Sequence, residues 1–469
     1  ITKGRYIESI SKIKRFIEKG DTYQVNFTFK YKFKFKGSSL GLYLKLRASQ
    51  PTSYMAFINT GCHEIISLSP ELFFKIDKNN ILAKPMKGTA PRSYCREDDE
   101  KNRLWLKNDL KNRAENLMIV DLIRNDLGRI AKTGTVKVKS LFDVEKYRTL
   151  YQMTSSIKGT LLSDFKYKNI FYSLFPSGSV TGAPKISTMK IIKGLEKEPR
   201  NIYTGSIGYI SPEKKSCFNV AIRTILLERG RGEMGIGGGI VYDSSGDSEY
   251  KEACLKAGFL KKSFPVISIF ETIRWDKRDG YYLIKEHLER ISGSADYFQI
   301  PFQTGAARRK LSDIKSSFKE HNYRVKLSVD MAGEIELKYE VLDEVSEPVK
   351  VKISSERIDP ENLYLYHKTT HREFYDVQRD KALKEGFFEV IYLNHKGEVT
   401  EGSISNIFVL INKNIYTPPV KCGLLPGVLR KHLLEMGGAK EKILYLKDLQ
   451  RADCIYIGNS LRGLLKSRL

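Results

Sequence analysis

Residues 23–35 carry an apolar side chain at every second position, with polar residues between them. Successive side chains of a strand point to opposite faces, so this alternation predicts a long strand with one buried face. The segment before it has helical spacing instead, with Ile7, Ile10 and Ile13 on one face, and it ends at Gly20-Asp21. The chain is therefore predicted to begin with a helix and then a long, half-buried strand.

Further strand-like stretches lie at residues 54–58, 73–76 and 136–138, and a helical stretch lies at residues 112–130. Strands in runs, with helices segregated from them, predict an α+β fold rather than a doubly wound parallel sheet. In the second part of the chain strands and helices alternate unevenly, and we expect an α+β fold there as well.

A domain boundary is predicted near Lys261-Lys262-Ser263. Before it a helical stretch ends at residues 257–260, and after it an apolar strand-like run begins at Pro265. A length of 469 residues suits two or more domains, so we predict one domain of residues 1–262 and another of residues 263–469. Because the chain begins at Ile1 rather than Met, we expect a fragment or a chain trimmed at its N-terminus.

The formal net charge of +25 is typical either of a nucleic-acid binder or of a lysine-rich solvated surface. The basic residues are spread along the whole chain without an RNA or DNA recognition motif, so we expect no nucleic-acid partner. No apolar run reaches the roughly 18 residues of a membrane helix, so no membrane association is expected. The six cysteines form no CxxC pair, which argues against zinc and disulfides and favours a cytoplasmic protein.

Residues 246–257 carry the first pattern with chemical content. If they are helical, Glu249, Glu252 and Lys256 lie on one face. Two neighbouring carboxylates repel each other unless a cation lies between them, and Mg²⁺ is the usual cation. Glu115, on another predicted helix, supplies a further carboxylate in this hypothesis. Spacing alone favours the plainer interpretation, an exposed helix with ordinary surface charges.

Residues 175–185 contain two glycines and a proline before a helical pattern. The glycines let the backbone approach a ligand, and the free N–H groups at a helix start suit an anion. The spacing is not that of a P-loop. The glycine-rich residues 235–240, taken alone, predict a bulged strand or a tight turn.

Together with residues 69–73, 85–89 and 114–126, these segments resemble the chorismate-utilising enzymes, in the family's order, from about Gly20 to Gly258. The resemblance implies an α/β sandwich with antiparallel sheets, chorismate as substrate, and an N-terminal segment that is missing here. It implies Mg²⁺ bound by Glu115, Glu249 and Glu252. It implies that Glu71 is the general acid on the C4 hydroxyl, and that carboxylates are held by Gly178, Ser179, Thr181, Gly182, Tyr209, Arg223, Gly238 and Lys256.

Lys87 decides the subfamily. In isolation it would be a surface lysine, but in Pro85-Met86-Lys87-Gly88-Thr89 it resembles the aminodeoxychorismate synthases, whereas anthranilate synthases typically carry alanine there. The resemblance implies that Lys87 attacks C2 while the C4 hydroxyl leaves, after which ammonia adds at C4. Such a lysine needs a depressed pKa, which a partly desolvated site provides. Met153 supports this, since anthranilate synthases usually have histidine at that position.

The ammonia must come from outside the two predicted domains. The sequence has no nucleophile-elbow cysteine followed by a histidine pair, which is the signature of a glutaminase. We therefore expect free ammonium or a separate glutamine amidotransferase subunit as the source.

The second domain contains residues that can supply the parts of a pyridoxal 5′-phosphate (PLP) site, although their spacing alone does not indicate this cofactor. Such a site needs a Schiff-base lysine, an acidic partner for the pyridinium nitrogen and a phosphate cup. Lys368 and Glu401 can supply the first two, and Gly427-Val428 before a helix, with Ser460, can form the cup. Taken alone, each also fits a surface lysine, a solvated glutamate or a helix-capping turn.

The set resembles the fold-type IV PLP enzymes from about Phe270 to Arg462, which implies a two-subdomain fold. It implies that Arg290 lies near the cofactor phosphate, that Lys368 shuttles the proton and that Thr272 assists. Enzymes of this type are commonly dimers, so a homodimer through this domain is expected.

The motifs leave lyase and transaminase activity open. The fusion favours an aminodeoxychorismate lyase, since the first domain would make its substrate, and the two together would make 4-aminobenzoate for folate. One alternative is an anthranilate synthase component I with an aminotransferase-like domain. Another is a basic binding protein built on degenerate enzyme domains, which predicts missing ligands, although Glu71, Glu115, Glu252, Lys368 and Glu401 are all present.

Overall fold

A computed structural model of the chain describes residues 1–49, 51–260 and 265–469. These residues divide into two compact units, Ile1–Arg92 with Lys101–Phe264, and Ser93–Glu100 with Pro265–Leu469. The boundary predicted at Lys261-Lys262-Ser263 lies outside the described residues. None of the described helices combines the length and the apolar character that crossing a membrane requires.

The elements up to residue 260 follow the predicted order of a helix, a long strand and then runs of strands. The helices are α1 (Lys3–Glu18), α2 (Ser39–Ser49), α3 (Arg96–Asn108), α4 (Leu110–Gly128), α5 (Tyr167–Leu174), α6 (Lys185–Leu195) and α7 (Gly246–Ala257). The strands are β1 (Gln24–Lys34), β2 (Tyr54–Asn59), β3 (Glu64–Ser69), β4 (Leu72–Asp77), β5 (Asn80–Lys84), β6 (Met86–Pro91), β7 (Lys137–Lys146), β8 (Leu150–Thr160), β9 (Gly182–Ala183), β10 (Ser206–Ile210), β11 (Ser216–Val220), β12 (Thr224–Glu228) and β13 (Arg231–Ile240).

The elements after residue 265 mix strands and helices. The helices are α8 (Ile284–Phe298), α9 (Thr304–Asp313), α10 (Glu373–Lys384), α11 (Val428–Glu435) and α12 (Leu446–Gln450). The strands are β14 (Ile269–Asp276), β15 (Gly280–Tyr281), β16 (Asn322–Val329), β17 (Ile335–Val341), β18 (Val349–Ile358), β19 (Glu389–Asn394), β20 (Val399–Gly402), β21 (Asn406–Ile411), β22 (Asn414–Thr417), β23 (Lys440–Glu441), β24 (Cys454–Asn459) and β25 (Gly463–Arg468).

Two antiparallel sheets form the first unit. One has the strand order β2-β3-β12-β13-β1-β9, and the other has the order β10-β11-β4-β5-β8-β6 with β7 beside β8. Helix α4 packs Ile119, Val120 and Ile123 into the core of the second sheet, while Tyr6 and Ile10 of α1 join the core beside β1. The predicted antiparallel, α-covered fold is confirmed.

The glycine-rich residues 235–240 differ from the expectation of a bulge or turn. They belong to β13, which pairs with β1 from Val25 opposite Ile240 to Lys34 opposite Arg231 without a shift of register. A Cβ on Gly237 would lie 2.2 Å from the carbonyl oxygen of Phe27 in β1. The glycine is therefore needed for close strand approach rather than for a turn.

The second unit contains two sheets with separate cores, in agreement with the expected two subdomains. The smaller has the order β15-β14-β16-β17, and the larger has the order β20-β19-β18-β25-β24-β21-β22-β23. The first core includes Leu288 and Ile291 of α8, and the second includes Val351, Ile391 and Ile407. The larger sheet is mixed, since β18 runs parallel to β19 and to β25.

Candidate active sites

In the first unit, Glu71 lies buried directly before β4, and Lys87 lies half-buried in β6. Glu71 is only 3% exposed, and this burial raises the pKa of its carboxyl to about 7 although Ser179 donates a hydrogen bond to it. Burial likewise lowers the pKa of Lys87, although the charges of Glu115, Glu71 and Glu252 act to raise it. The unit thus holds a carboxyl that keeps its proton near neutral pH beside an amine that loses one more easily than usual.

Strand β13 brings Lys87 and α7 into one site. A Cβ on Gly239 would lie 2.7 Å from Lys87 Nζ, and one on Gly238 would lie 3.2 Å from Glu249 Oε2. The Cβ on Gly239 would also lie 2.5 Å from Gln24 Nε2. This nitrogen is a buried donor that has no hydrogen-bond partner among the described residues. Because these glycines have no side chain, space remains beside Lys87. Gln24 is a site residue that the sequence patterns did not indicate.

The charged face of α7 is formed as predicted. Ser244 donates a 2.8 Å hydrogen bond to Glu249, whose pKa is raised by burial and by the neighbouring Glu252. Burial acts to raise the pKa of Glu252 as well, but Lys256, 2.9 Å away, brings it below the ordinary value. Lys256 also donates to the carbonyl of Gly237 at 2.9 Å.

These carboxylates suit Mg²⁺ in donor chemistry but do not form a closed cage. Among the described residues no group of three or more His, Cys, Asp or Glu side chains converges closely enough to hold a metal ion. Mg²⁺ needs only one or two protein carboxylates, with waters and substrate oxygens completing its shell. The raised pKa of Glu249 beside Glu252 is the like-charge situation that a divalent cation relieves. Glu115 enters this group through its charge interaction with Lys87.

The predicted anion-binding turn precedes α6 and is held against β1. Ser179 and Thr181 are buried, and the carbonyl of Thr181 accepts a 2.7 Å hydrogen bond from the backbone of Asn26. Gly182 pairs with Val25, with no space for a Cβ. Gly178 leads into the turn as the first residue of a short 3₁₀ segment. Through Ser179, which donates to Glu71, the turn is joined to the Lys87 site.

Two predicted substrate residues stand apart. Tyr209 is 62% exposed on β10. Arg223 precedes β12 in the left-handed region (φ 48°), and burial lowers its pKa while Tyr147 raises it. In the described part of the chain, the hydrogen bonds and charge interactions that join Glu71, Lys87 and Lys256 do not extend to either residue.

The second unit contains a cavity of about 900 Å³. Its lining includes every residue predicted for the PLP site: Thr272, Arg290, Lys368, Glu401, Gly427, Val428 and Ser460. The cavity is large enough for a cofactor together with a small substrate.

Lys368 is a half-buried amine that lines this cavity. Burial and the charges of Arg290 and Arg372 lower its pKa to about 7, although Glu271 and Glu401 oppose the shift. Its Nζ lies 4.9 Å from the centre of the Phe270 ring. Near neutral pH much of Lys368 is therefore the free amine, the form that attacks an aldehyde.

Glu401 is buried, and the charges of Arg372 and Lys368 act on its carboxyl. It accepts hydrogen bonds from the backbone N–H of Leu425 at 3.0 Å and from the hydroxyl of Tyr375 at 3.1 Å. Burial nevertheless raises its pKa to about 8. A protonated pyridine nitrogen is the kind of partner that would restore the charged form, so Glu401 fits the predicted role.

Arg290 is held rigidly by a carboxylate that the sequence patterns did not single out. Its Nε and Nη2 bind Glu271 at 2.8 and 2.5 Å, and His287 binds the same carboxylate at 2.7 Å. Although burial acts to raise it, the charge of Arg290 and the hydrogen bonds from Arg290 and His287 lower the pKa of Glu271 to about 2. Arg290 also reaches the carbonyl of Pro426, next to Gly427 at the start of α11. An arginine beside a helix N-terminus fits a phosphate group.

Two further residues were missed because only the fold assembles them: Arg372 lines the cavity, and Glu389 binds residues that line it. Arg372 donates to the carbonyl of Ser403 at 2.8 Å. Glu389, fully buried, accepts from the backbone of Ser403 at 2.9 Å and of Ile404 at 3.0 Å, and from Ser405 Oγ at 2.8 Å. Glu389 thereby holds the turn that follows Glu401 in the chain.

The two units resemble different families. The chorismate binding enzyme family matches residues 1–262, and the amino-transferase class IV family matches residues 268–468. The first part is 44% identical over 260 residues to a probable chloroplastic aminodeoxychorismate synthase of Oryza sativa subsp. japonica. This match covers 55% of this chain and 29% of the rice protein. It is 38% identical over 262 residues to aminodeoxychorismate synthase component 1 of Escherichia coli (strain K12), which covers 56% of this chain and 58% of that protein.

Among solved structures, anthranilate synthase component I of Streptococcus pneumoniae TIGR4 is similar, with a TM-score of 0.52 and 33% identity over 56% of this chain and 58% of that one. The chain thus spans less than two thirds of the length of each of these relatives. The likeness agrees with the antiparallel fold of the first unit.

Proposed function

Because this chain belongs to the chorismate binding enzyme family, we propose that it makes 4-aminobenzoate from chorismate in two steps. In this proposal residues 1–262 convert chorismate and ammonia to 4-amino-4-deoxychorismate. Residues 263–469 then eliminate pyruvate with PLP. The observation that carries the proposal is Lys87, an amine with a lowered pKa in the same site as Glu71, a carboxyl with a raised one.

The first step uses these two groups in opposite roles. Glu71, with a pKa of about 7, donates its proton to the C4 hydroxyl. Lys87 attacks C2, so that an N–C2 bond forms, the ring double bonds shift and the C4–O bond breaks with loss of water. Ammonia then bonds to C4, the double bonds shift back and the bond to Lys87 breaks, which restores the free amine.

Substrate binding in this site rests on charge. Mg²⁺, when bound by Glu115, Glu249 and Glu252, supplies a positive charge for the C1 carboxylate. The turn from Gly178 to Gly182 offers backbone and hydroxyl groups to a carboxylate, and Lys256 adds an ammonium. Gly238 leaves the space in which the substrate lies, and Arg223 and Tyr209 complete the proposed set.

In the second step Lys368 moves the proton. PLP, when bound, supplies an electron sink for the carbon that loses it. Lys368, unprotonated above about pH 7, takes the proton from C4. The C3–O bond breaks, pyruvate leaves and the ring becomes aromatic. Arg290, Gly427, Val428 and Ser460 hold the cofactor phosphate, Glu401 faces the ring nitrogen and Thr272 assists the proton transfer.

The ammonia source in this proposal is a separate glutamine amidotransferase subunit. The Escherichia coli relative is named component 1 of its synthase, which implies such a partner for the first unit. We keep a cytoplasmic location and a homodimer through the second domain as parts of the proposal. Size measurement in solution, with and without PLP, tests the dimer.

Product analysis by chromatography tests both steps at once. The full chain is incubated with chorismate, Mg²⁺ and ammonium, with and without PLP. We expect 4-aminobenzoate and pyruvate with PLP, and 4-amino-4-deoxychorismate without it. Anthranilate would instead support the second candidate, an anthranilate synthase, which the likeness to the Streptococcus pneumoniae enzyme favours. No turnover with ammonium present contradicts both.

A further inference from the structure

Three arginines from separate elements line one part of the second unit's cavity. Arg324 lies on β16, Arg379 on α10 and Arg462 in the turn between β24 and β25. Burial lowers the pKa of Arg462, and the charges of Arg379 and Arg324 lower it further while Asp343 raises it. Arg462 is therefore near enough to the other two guanidinium groups for their charges to act on it.

The cluster of Arg324, Arg379 and Arg462 is only partly neutralised by the protein, through the carboxylates of Glu340 and Asp343. Arg324 binds Glu340 at 2.6 Å, but both side chains are about half exposed, so the pair is weak. Arg462 donates to the backbone carbonyl of Asp343 rather than to a carboxylate. The Nε of Arg379 is buried and has no hydrogen-bond partner in the described part of the chain. Like charges held together in this way favour an anionic ligand.

This cluster is distinct from the cations beside Lys368. The charges that act most on Lys368 are those of Arg290, Arg372, Glu271 and Glu401. Arg290 is already held by Glu271, and Arg372 binds Asp376 at 2.8 Å. The cavity thus has one positive region at the reactive lysine, with its own carboxylates, and a second region whose donors are not all used.

We propose that Arg324, Arg379 and Arg462 form the subsite for the ring carboxylate of the lyase substrate. The inference rests on the proposed function and adds the feature that distinguishes lyase from transaminase. In 4-amino-4-deoxychorismate the C1 carboxylate is para to the C4 amine, so it lies a ring's width from the atom that reacts at Lys368. In an α-amino acid the carboxylate is on the same carbon as the amine. A cationic cluster in the same cavity, separate from the cations that act most on Lys368, therefore selects the first kind of substrate.

An equilibrium test compares two ligands of the same shape. 4-Aminobenzoate and the uncharged 4-aminobenzamide are titrated into the PLP-loaded full chain while the visible absorbance of the cofactor is followed, so that only the second unit reports. The wild type is expected to bind the carboxylate at least tenfold more tightly. Arg379→Gln and Arg462→Gln should each weaken 4-aminobenzoate about tenfold and leave the amide unchanged, because each removes a charge-assisted donor. Arg308→Gln, on the exposed face of α9, is the charge-matched control.

Steady-state turnover of 4-amino-4-deoxychorismate gives the second readout. We expect KM to rise about tenfold in Arg379→Gln and Arg462→Gln with kcat within about twofold, and Arg379→Lys to recover part of the loss. Variants that keep the wild-type preference for the carboxylate overturn the subsite, and normal turnover would then leave the proposed function standing. Loss of that preference in a chain without lyase turnover supports the anion subsite and contradicts the proposed function instead.

Discussion

At the scale of single residues, burial is the physical cause behind most of the chemistry. It lowers the pKa of both Lys87 and Lys368 and raises the pKa of Glu71 and Glu401. In the sequence, these residues are recognised by the motifs in which they occur. Their pKa shifts, in contrast, are caused by the surrounding structure. Glu271 could have been suspected, because it lies between Phe270 and Thr272 in the segment that resembles the fold-type IV enzymes. Gln24, Arg379 and Glu389 carry no local signal, since their neighbours come from distant parts of the chain.

Replacement of Lys87 tests the first site. Lys87→Ala removes the proposed nucleophile, so we expect formation of 4-amino-4-deoxychorismate to fall at least about 100-fold or the product to change to anthranilate. Chorismate loss and products are measured by chromatography. Lys75→Ala, on an exposed position of β4, is the control and should behave as the wild type. Unchanged amination in Lys87→Ala would falsify the covalent role.

The pH dependence of cofactor loading tests Lys368. Only the unprotonated amine reacts with the aldehyde, and its pKa of about 7 lies well below the ordinary 10.5. The loading rate should therefore rise about tenfold per pH unit below 7 and level off above it. It is followed by the visible absorbance of the protein-bound cofactor, which Lys368→Ala should lack. A rate that keeps rising to pH 10 would contradict the lowered pKa.

Glu271→Gln tests the carboxylate behind Arg290. Loss of one partner of a buried ion pair costs about 3–5 kcal/mol, and the freed Arg290 should also hold PLP less tightly. Because the folded pKa of about 2 lies below the unfolded value of about 4.3, the stabilisation is complete above pH 4.3 and is lost as the pH falls toward 2. Urea unfolding of the wild type should show this loss and that of Glu271→Gln should not, with Glu340→Gln as an exposed control.

At the scale of elements, local sequence patterns predict the presence of a helix or strand better than they predict which strands pair. The alternation of residues 23–35 corresponds to β1, and the helical spacing of residues 112–130 corresponds to α4. The glycine-rich residues 235–240 were misread, because a glycine needed for close strand approach has the same sequence as one needed for a turn. Which strands pair, as β1 does with β13, depends on contacts between remote segments that periodicity does not contain.

Two glycines of β13 provide a matched pair of substitutions. A Cβ on Gly239 meets the tips of Gln24 and Lys87, whereas a Cβ on Gly237 meets the backbone of β1. We expect Gly239→Ala to keep the unfolding free energy within about 1 kcal/mol but to lower amination at least about tenfold by displacing Lys87. Gly237→Ala should lower the unfolding free energy by about 1–3 kcal/mol, because backbone must move. Urea unfolding and amination rates are compared, and the reverse pattern would contradict the placement of Gly239 at the site.

At the scale of the whole molecule, each proposed site uses residues of one unit alone. Glu71, Lys87 and Lys256 belong to the first unit, and Lys368 and Glu401 belong to the second. The formal charge of +25 is spread along the chain and would help to attract the proposed anionic substrates to both sites. The sequence could predict this division because the two groups of motifs are consecutive. It could not show whether the intermediate passes from one site to the other through solution.

Complementation between two inactive chains tests that last point. Lys87→Ala lacks the first step and Lys368→Ala lacks the second, so neither should make 4-aminobenzoate from chorismate by itself. Mixed in equal amounts with Mg²⁺, ammonium and PLP, they should make it after a lag, because the intermediate released by one chain must first accumulate to the KM of the other. The lag should shorten as the concentration of both chains is raised. The wild type at the same total concentration is the control for the length of the lag. If the mixture makes no 4-aminobenzoate while Lys368→Ala alone accumulates 4-amino-4-deoxychorismate, the second site does not accept intermediate from solution, and a wild-type chain must then pass it on directly.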